Sequence, residues 1–140
     1  MPPMPDFKLF GDEHVRQYEA TQGQTGHDWN GTKVLILRTT GRSSGQLRKA
    51  PLIYGRSGDD YLVVASKGGA PDHPGWYKNL DAHPDIEIQV KGDVLRVRAR
   101  TASAQEKERL WSIMTAEWPD YDKYQRSTSR DIPLVILSKR

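Results

Sequence analysis

Cysteine is absent from this sequence. That absence excludes disulfides, thiolate metal sites, iron–sulfur clusters and thiol catalysis together. Long apolar runs are absent too: no stretch approaches the roughly 18 residues that a membrane-spanning helix needs. The opening M-P-P-M-P-D-F lacks both the charged and the apolar region of a signal peptide, and a soluble, cytoplasmic protein is expected. His14, His27, His73 and His83 stand at spacings that form no zinc motif, so no metal is expected. There is no G-x-G-x-x-G and no P-loop lysine spacing, which leaves Rossmann and Walker-type nucleotide binding without support. Gly41-Arg42-Ser43-Ser44-Gly45 does match G-x-S-x-G. A nucleophile elbow, however, needs a strand-to-helix turn on a large α/β sheet, whereas this turn reads as strand to strand.

One-sided charge is also scarce. With 21 Lys and Arg against 18 Asp and Glu, the basic bias is mild, and aromatic and basic residues lie in separate segments. Nucleic acid is therefore not the expected partner. An anionic small molecule or a weak membrane-surface contact fits the balance better.

The 140 residues present suffice for one core, and residues 38–80 organise the rest. Residues 34–37 form a continuous apolar run that reads as a buried strand, after which Gly41 and Gly45 bracket a turn of serines. Arg38, Arg42, Arg48 and Lys49 surround that turn. Arginine offers a planar fork that matches phosphate or carboxylate oxygens, so the turn is either an anion site or a solvated hairpin end. A second polar segment follows the apolar run at residues 61–65: Ser66, Lys67, Gly68 and Gly69, then Asp72 as the expected N-cap of a short helix carrying Trp76, Tyr77 and Leu80. Hydroxyl, lysine and backbone amides make this a second anion-receptive corner. Pairing of the strands at 51–54 and 61–65 is expected to bring the two segments together.

Along the chain, residues 6–20 predict an amphipathic helix and residues 22–31 a glycine-rich linker. This divides the chain into an N-terminal helix with linker, 1–31, and a main domain, 32–140. The helix either docks on that domain or meets a membrane or partner. Strands are expected at about 33–40, 47–56 and 61–66. A hairpin at 86–101 follows, where Ile86, Ile88, Val90, Leu95, Val97 and Ala99 alternate with polar residues. Its Arg96, Arg98 and Arg100 share one face, read as solvated rather than as a groove. Ser103 and Glu106 have capping-box spacing ahead of a helix that buries Leu110, Ile113 and Met114. Trp118, Tyr121 and Tyr124 then recur every three residues, predicting a partly exposed aromatic wall. A buried strand at 132–137 closes a mainly β chain with flanking helices, which suggests a small barrel.

The runs T-T-G-R-S-S-G-Q-L-R, V-V-A-S-K-G-G-A, H-P-G-W-Y-K-N-L, W-P-D-Y-D-K-Y and R-D-I-P-L-V-I-L, in that order, resemble the actinobacterial deazaflavin-dependent nitroreductase family over residues 33–137. The resemblance implies a split β-barrel, FMN-binding-like, and coenzyme F420 as cofactor. Arg42, Ser43, Ser44 and Arg48 would hold its phosphate region. Ser66, Lys67, Gly68 and Gly69 would line the deazaflavin pocket, with Trp76 near the ring and Asn79 bracing the corner. Trp118, Tyr121 and Tyr124 would face the substrate. The implied reaction is hydride transfer from reduced F420 to a quinone or nitroaromatic, with Tyr124, Tyr121 or Ser66 donating to the acceptor. Two positions depart from the family pattern. Ser43 stands where many relatives carry lysine, a contact that Lys49 or Lys67 could replace, and Trp118 stands where tyrosine is common. A non-catalytic F420 carrier and an FMN oxidoreductase on the same barrel are the alternative readings. A monomer or homodimer and a peripheral membrane contact through residues 6–20 complete the expectations.

Overall fold

The computed structural model describes residues 9–140. An antiparallel sheet curls into a split barrel and carries helices on its outer side, as expected. The strands are β1 (Asp28–Trp29), β2 (Thr32–Thr40), β3 (Leu47–Ile53), β4 (Gly55–Ser57), β5 (Asp60–Val64), β6 (Asp85–Val90), β7 (Asp93–Thr101) and β8 (Leu134–Lys139). The helices are α1 (Gly11–Thr21), α2 (Gly75–Ala82), α3 (Ala104–Glu117) and α4 (Asp120–Arg126). Strand order is β1-β2-β6-β7-β8-β5-β4, with β3 on β2.

Helix placement explains the apolar patterns. On β2, Leu35 and Leu37 point into the barrel core, while Val34 and Ile36 point outward against Val15 and Tyr18 of α1. On β5 and β8, Val63, Val135 and Leu137 fill the barrel, while Leu62, Leu134 and Ile136 meet Leu110 and Met114 of α3 and Tyr121 of α4. A strand covered on both faces must be apolar at every position. On β7 only Val97 and Ala99 are buried, and Arg96, Arg98 and Arg100, which alternate with them, face water. Two of these are held by carboxylates: Arg98 by Asp85 at 3.0 Å, and Arg100 by Glu106 at 2.7 Å.

Three local expectations change. The strand foreseen at 47–56 breaks at Tyr54, whose ring is buried and whose hydroxyl lies 2.8 Å from His27 Nε2. Before the break β3 pairs with β2, from Val34↔Ile53 to Thr40↔Leu47; after it β4 pairs with β5. The chain thus crosses from one side of the barrel to the other at Tyr54, and the expected pairing of β3 with β5 does not form. Helix α2 begins after Pro74, not Asp72. The Asp72 carboxylate instead accepts from the His73 N–H at 3.0 Å and from Lys78 at 2.9 Å. The capping box at Ser103 and Glu106 forms as foreseen.

Helix α1 starts at Gly11, and residues 6–8 of the expected helix lie outside the described residues. Its apolar side chains Val15 and Tyr18 are buried on the barrel. The glycine-rich stretch 22–31 is tied down: His14 Nε2 lies 2.8 Å from the Gly26 carbonyl, His27 is buried, and β1 pairs with β2. Among the described residues no helix is long and apolar enough to cross a membrane.

Candidate functional site

Two cavities meet at Trp76, which lines both. The first, about 490 Å³, lies between the β2–β3 turn and α2 and is bordered by Arg42, Ser43, Ser44, Arg48, Gly75 and Asn79. A hydrogen-bonded turn, with Gly41 N–H donating to the Gln46 carbonyl at 2.7 Å, presents the two serines. Asn79 is buried and reaches across from α2: its Oδ1 accepts from the Arg42 backbone N–H at 3.1 Å and from the Arg42 guanidinium at 2.9 Å. Arg48 is exposed and forms no ion pair among the described residues.

Lys49 also borders this cavity, but its ammonium lies 2.8 Å from Glu19, which binds Arg38 as well, at 3.0 Å. Burial opposes ionisation of Glu19, yet the bonds from Lys49 and Arg38 outweigh it and hold the carboxyl below its ordinary range. Lys49 is therefore already paired with a carboxylate that it shares with Arg38. Lys67 borders the other cavity instead.

The second cavity, about 370 Å³, opens where β3 and β5 fail to pair. Pro51, Leu52 and Ile53 form one side, Val64, Ser66, Lys67 and Gly68 the opposite side, and Trp118, Tyr121 and Tyr124 the end wall. Trp118 and Tyr124 are half-buried, matching the expected wall, and Trp118 Nε1 donates to the Tyr124 hydroxyl at 3.3 Å. Tyr121 differs: its ring is 5% exposed, wedged between Trp111 and Tyr124. The α4 segment has no aliphatic residue, so Tyr121 supplies the apolar bulk that packs under α3. Burial drives its phenol pKa well above the ordinary tyrosine value.

Gly69 does not border either cavity. It sits at φ 84° against α4, where a Cβ would fall 2.2 Å from Ser127 Oγ and 3.0 Å from the Tyr124 carbonyl oxygen. Its glycine is required by that close approach. Nine of the ten residues expected around the cofactor thus border one cavity or the other, and Gly69 supports from behind. Sequence reasoning missed Trp29, whose ring lies 5.7 Å from that of Trp118 and whose Nε1 donates to the Leu9 carbonyl at 2.7 Å. It also missed the β3 side and Gly75.

The model of the F420H(2)-dependent quinone reductase family matches residues 11–139. The chain belongs to this family. The F420H(2)-dependent quinone reductase Rv1261c of Mycobacterium tuberculosis H37Rv is 44% identical over 131 residues, covering 91% of this chain and 88% of the relative. Among solved structures, an F420-H2 dependent reductase, FDR-A, is 38% identical with a TM-score of 0.70, covering 75% of this chain and 93% of that one. A domain-swapped dimer at 35% identity superposes with a TM-score of 0.74, covering 90% and 92%. Both solved structures share the fold of this chain.

Proposed function

We propose that the protein transfers a hydride from reduced coenzyme F420 to a quinone. The observation that carries this reading is the pair of cavities joined at Trp76, one basic and serine-lined, the other apolar and aromatic. A ligand with an anionic tail and a flat ring system spans such a pair.

The residues fit that cofactor. Arg48 has no competing carboxylate among the described residues. Gly75 has ordinary backbone angles, and a Cβ there would meet no protein atom within 4 Å. Neither backbone nor packing requires glycine at 75, and its lack of a side chain leaves the cavity open there. Arg42, Ser43, Ser44 and Arg48 would hold the phosphate, and Ser66, Lys67, Gly68 and Trp76 would border the deazaflavin. When bound, the reduced cofactor supplies the hydride.

The protein's part is to orient and to provide a proton. An indole N–H only donates, so Tyr124 Oη accepts from Trp118 and keeps its own proton free. Negative charge builds on the quinone oxygen during reduction, and a donor already aimed there lowers the barrier without reorganisation. Trp29 and Trp118 would border the acceptor. A nitroaromatic would meet the same wall. Contact of residues 6–20 with a membrane would rest on Phe10, the exposed large apolar side chain of that segment among the described residues.

Oxidation of reduced F420 by the purified protein with menadione as acceptor, beside parallel runs with reduced FMN and without protein, tests the reading. Turnover specific to the deazaflavin is expected. Tight binding without turnover would instead make the protein a carrier, and turnover with FMN alone would overturn the cofactor assignment.

A further inference from the structure

The loop that delivers Ser66, Lys67 and Gly68 to the second cavity has three successive residues in the left-handed region: Lys67 at φ 47°, Gly68 at 64° and Gly69 at 84°. That conformation is unfavourable for a residue bearing a Cβ, as Lys67 does. Surroundings must hold such a backbone in place. Within the loop, Gly69 N–H donates to the Ser66 carbonyl at 2.9 Å and Ala70 N–H to the Lys67 carbonyl at 3.1 Å.

Far along the sequence, just before β8, Arg130 supplies the external support. Its Nε donates to the Ala70 carbonyl at 2.7 Å and its Nη2 to the Ser66 carbonyl at 2.7 Å. Nη1 donates to the Ala65 carbonyl at 3.2 Å and reaches His73 Nδ1 at 3.0 Å. His73 in turn packs on Tyr77 of α2, with ring centroids 4.9 Å apart. One guanidinium thus grips both ends of the loop and the lead into α2. No ion pair between Arg130 and a carboxylate forms among the described residues. Because a trans peptide sets C=O and N–H on opposite sides, holding the Ser66 carbonyl toward Arg130 turns the Lys67 N–H away from it.

We propose that Arg130 is a positioning residue for cofactor binding. It borders neither cavity, and acts by fixing the backbone of Ser66, Lys67 and Gly68 in the shape that receives the ring edge. The inference rests on the F420 reading above. Lysine cannot replace it, since a single ammonium cannot engage carbonyls at positions 65, 66 and 70 through a planar fork.

The test uses the full chain with Arg130→Lys and Arg130→Gln, measuring F420 affinity by equilibrium binding, amide exchange by residue, and kcat with menadione at saturating cofactor. Both variants are expected to weaken F420 binding by about tenfold or more, equivalent to about 1.4 kcal/mol. Exchange should accelerate at residues 66–70 while β5 and β8 stay protected, and kcat should change less than affinity. Faster loop exchange with wild-type affinity would overturn the proposal. So would uniform loss of protection across the barrel, which would make Arg130 a general stability residue. Failure of the unaltered chain to bind F420 would overturn the cofactor reading itself, an outcome distinguishable from intact wild-type binding with unaffected variants.

Discussion

The Asn79 side chain holds Arg42 at two points, its Oδ1 accepting from the backbone N–H and from the guanidinium. This single amide joins the two polar segments, since Arg42 belongs to the β2–β3 turn and Asn79 to α2. Its Nδ2 donates to Thr39 Oγ1 at 3.3 Å, so the amide's orientation is set by partners at both ends. Asn79→Ala should cost about 1–3 kcal/mol in urea denaturation by orphaning these groups. It should also weaken F420 binding, because the arginine loses its fixed direction. Loss of stability with unchanged affinity would separate Arg42 from the cofactor.

Arg48 presents the opposite case, a cation with no ion-pair partner among the described residues. Arg48→Ala should leave thermal stability unchanged and weaken F420 binding by about 1.5–3 kcal/mol, the range for a charged hydrogen bond. Binding by the unaltered chain should in turn weaken as salt rises. Equal affinities for the two proteins would remove Arg48 from the site.

Gly75, the first residue of α2, should give effects of opposite sign on stability and binding. Gly75→Ala fits the existing backbone and should raise stability by about 0.4–1 kcal/mol through the unfolded chain. Gly75→Leu should fold as well, yet block the cavity shared with Trp76 and abolish detectable cofactor binding. Calorimetric melting and F420 titration of the two variants check both halves.

Tyr124→Phe should lower kcat with menadione on the order of a hundredfold, with much smaller changes in substrate and cofactor affinity. Trp118→Phe should reproduce part of that loss in the presence of Tyr124 and little of it in the Tyr124→Phe background. Parallel losses in kcat and affinity would mark Tyr124 as a packing residue.

The start of α3 should hold until strongly acid pH. The paired bonds from Arg100 and the Ser103 backbone N–H draw the Glu106 carboxyl down from 4.5 to about 2. The folded value lies below the unfolded one, so this contribution is complete above about pH 4.5 and is lost as pH falls through about 2. Amide exchange at Ala104 to Lys107 should quicken across that window. In Glu106→Gln it should be independent of this titration.

Much of the barrel was legible because burial writes itself into side-chain type. Residues 34–37, 61–65 and 134–137 are apolar throughout since helices cover their outer faces, whereas residues 93–101 alternate because water does. The turn at residues 41–45 and the Ser103–Glu106 cap were equally plain, their chemistry being local. Strand pairing was not. Nothing in Leu52 or Tyr54 announces that the chain leaves β2 and crosses to β5 between them. Arg130 escaped notice for a related reason: its partners are mostly backbone carbonyls, which every residue possesses. Trp29 lies on a two-residue strand, too short to show any period. Gly68 and Gly69 looked alike in sequence, although one faces the cavity and the other fits under α4.

The unpaired flank of β3 has one more effect, on how the protein behaves in solution. A strand bonded on one side offers its other backbone edge to any passing chain. Here that edge carries Lys49 and Pro51, a charge and a missing donor, both of which discourage strand addition. The same seam forms a side of the second cavity, so a seated ligand would shield it. Cofactor-free preparations should therefore self-associate more readily on storage than loaded ones, and saturation with F420 should slow that loss even where no electron acceptor is present.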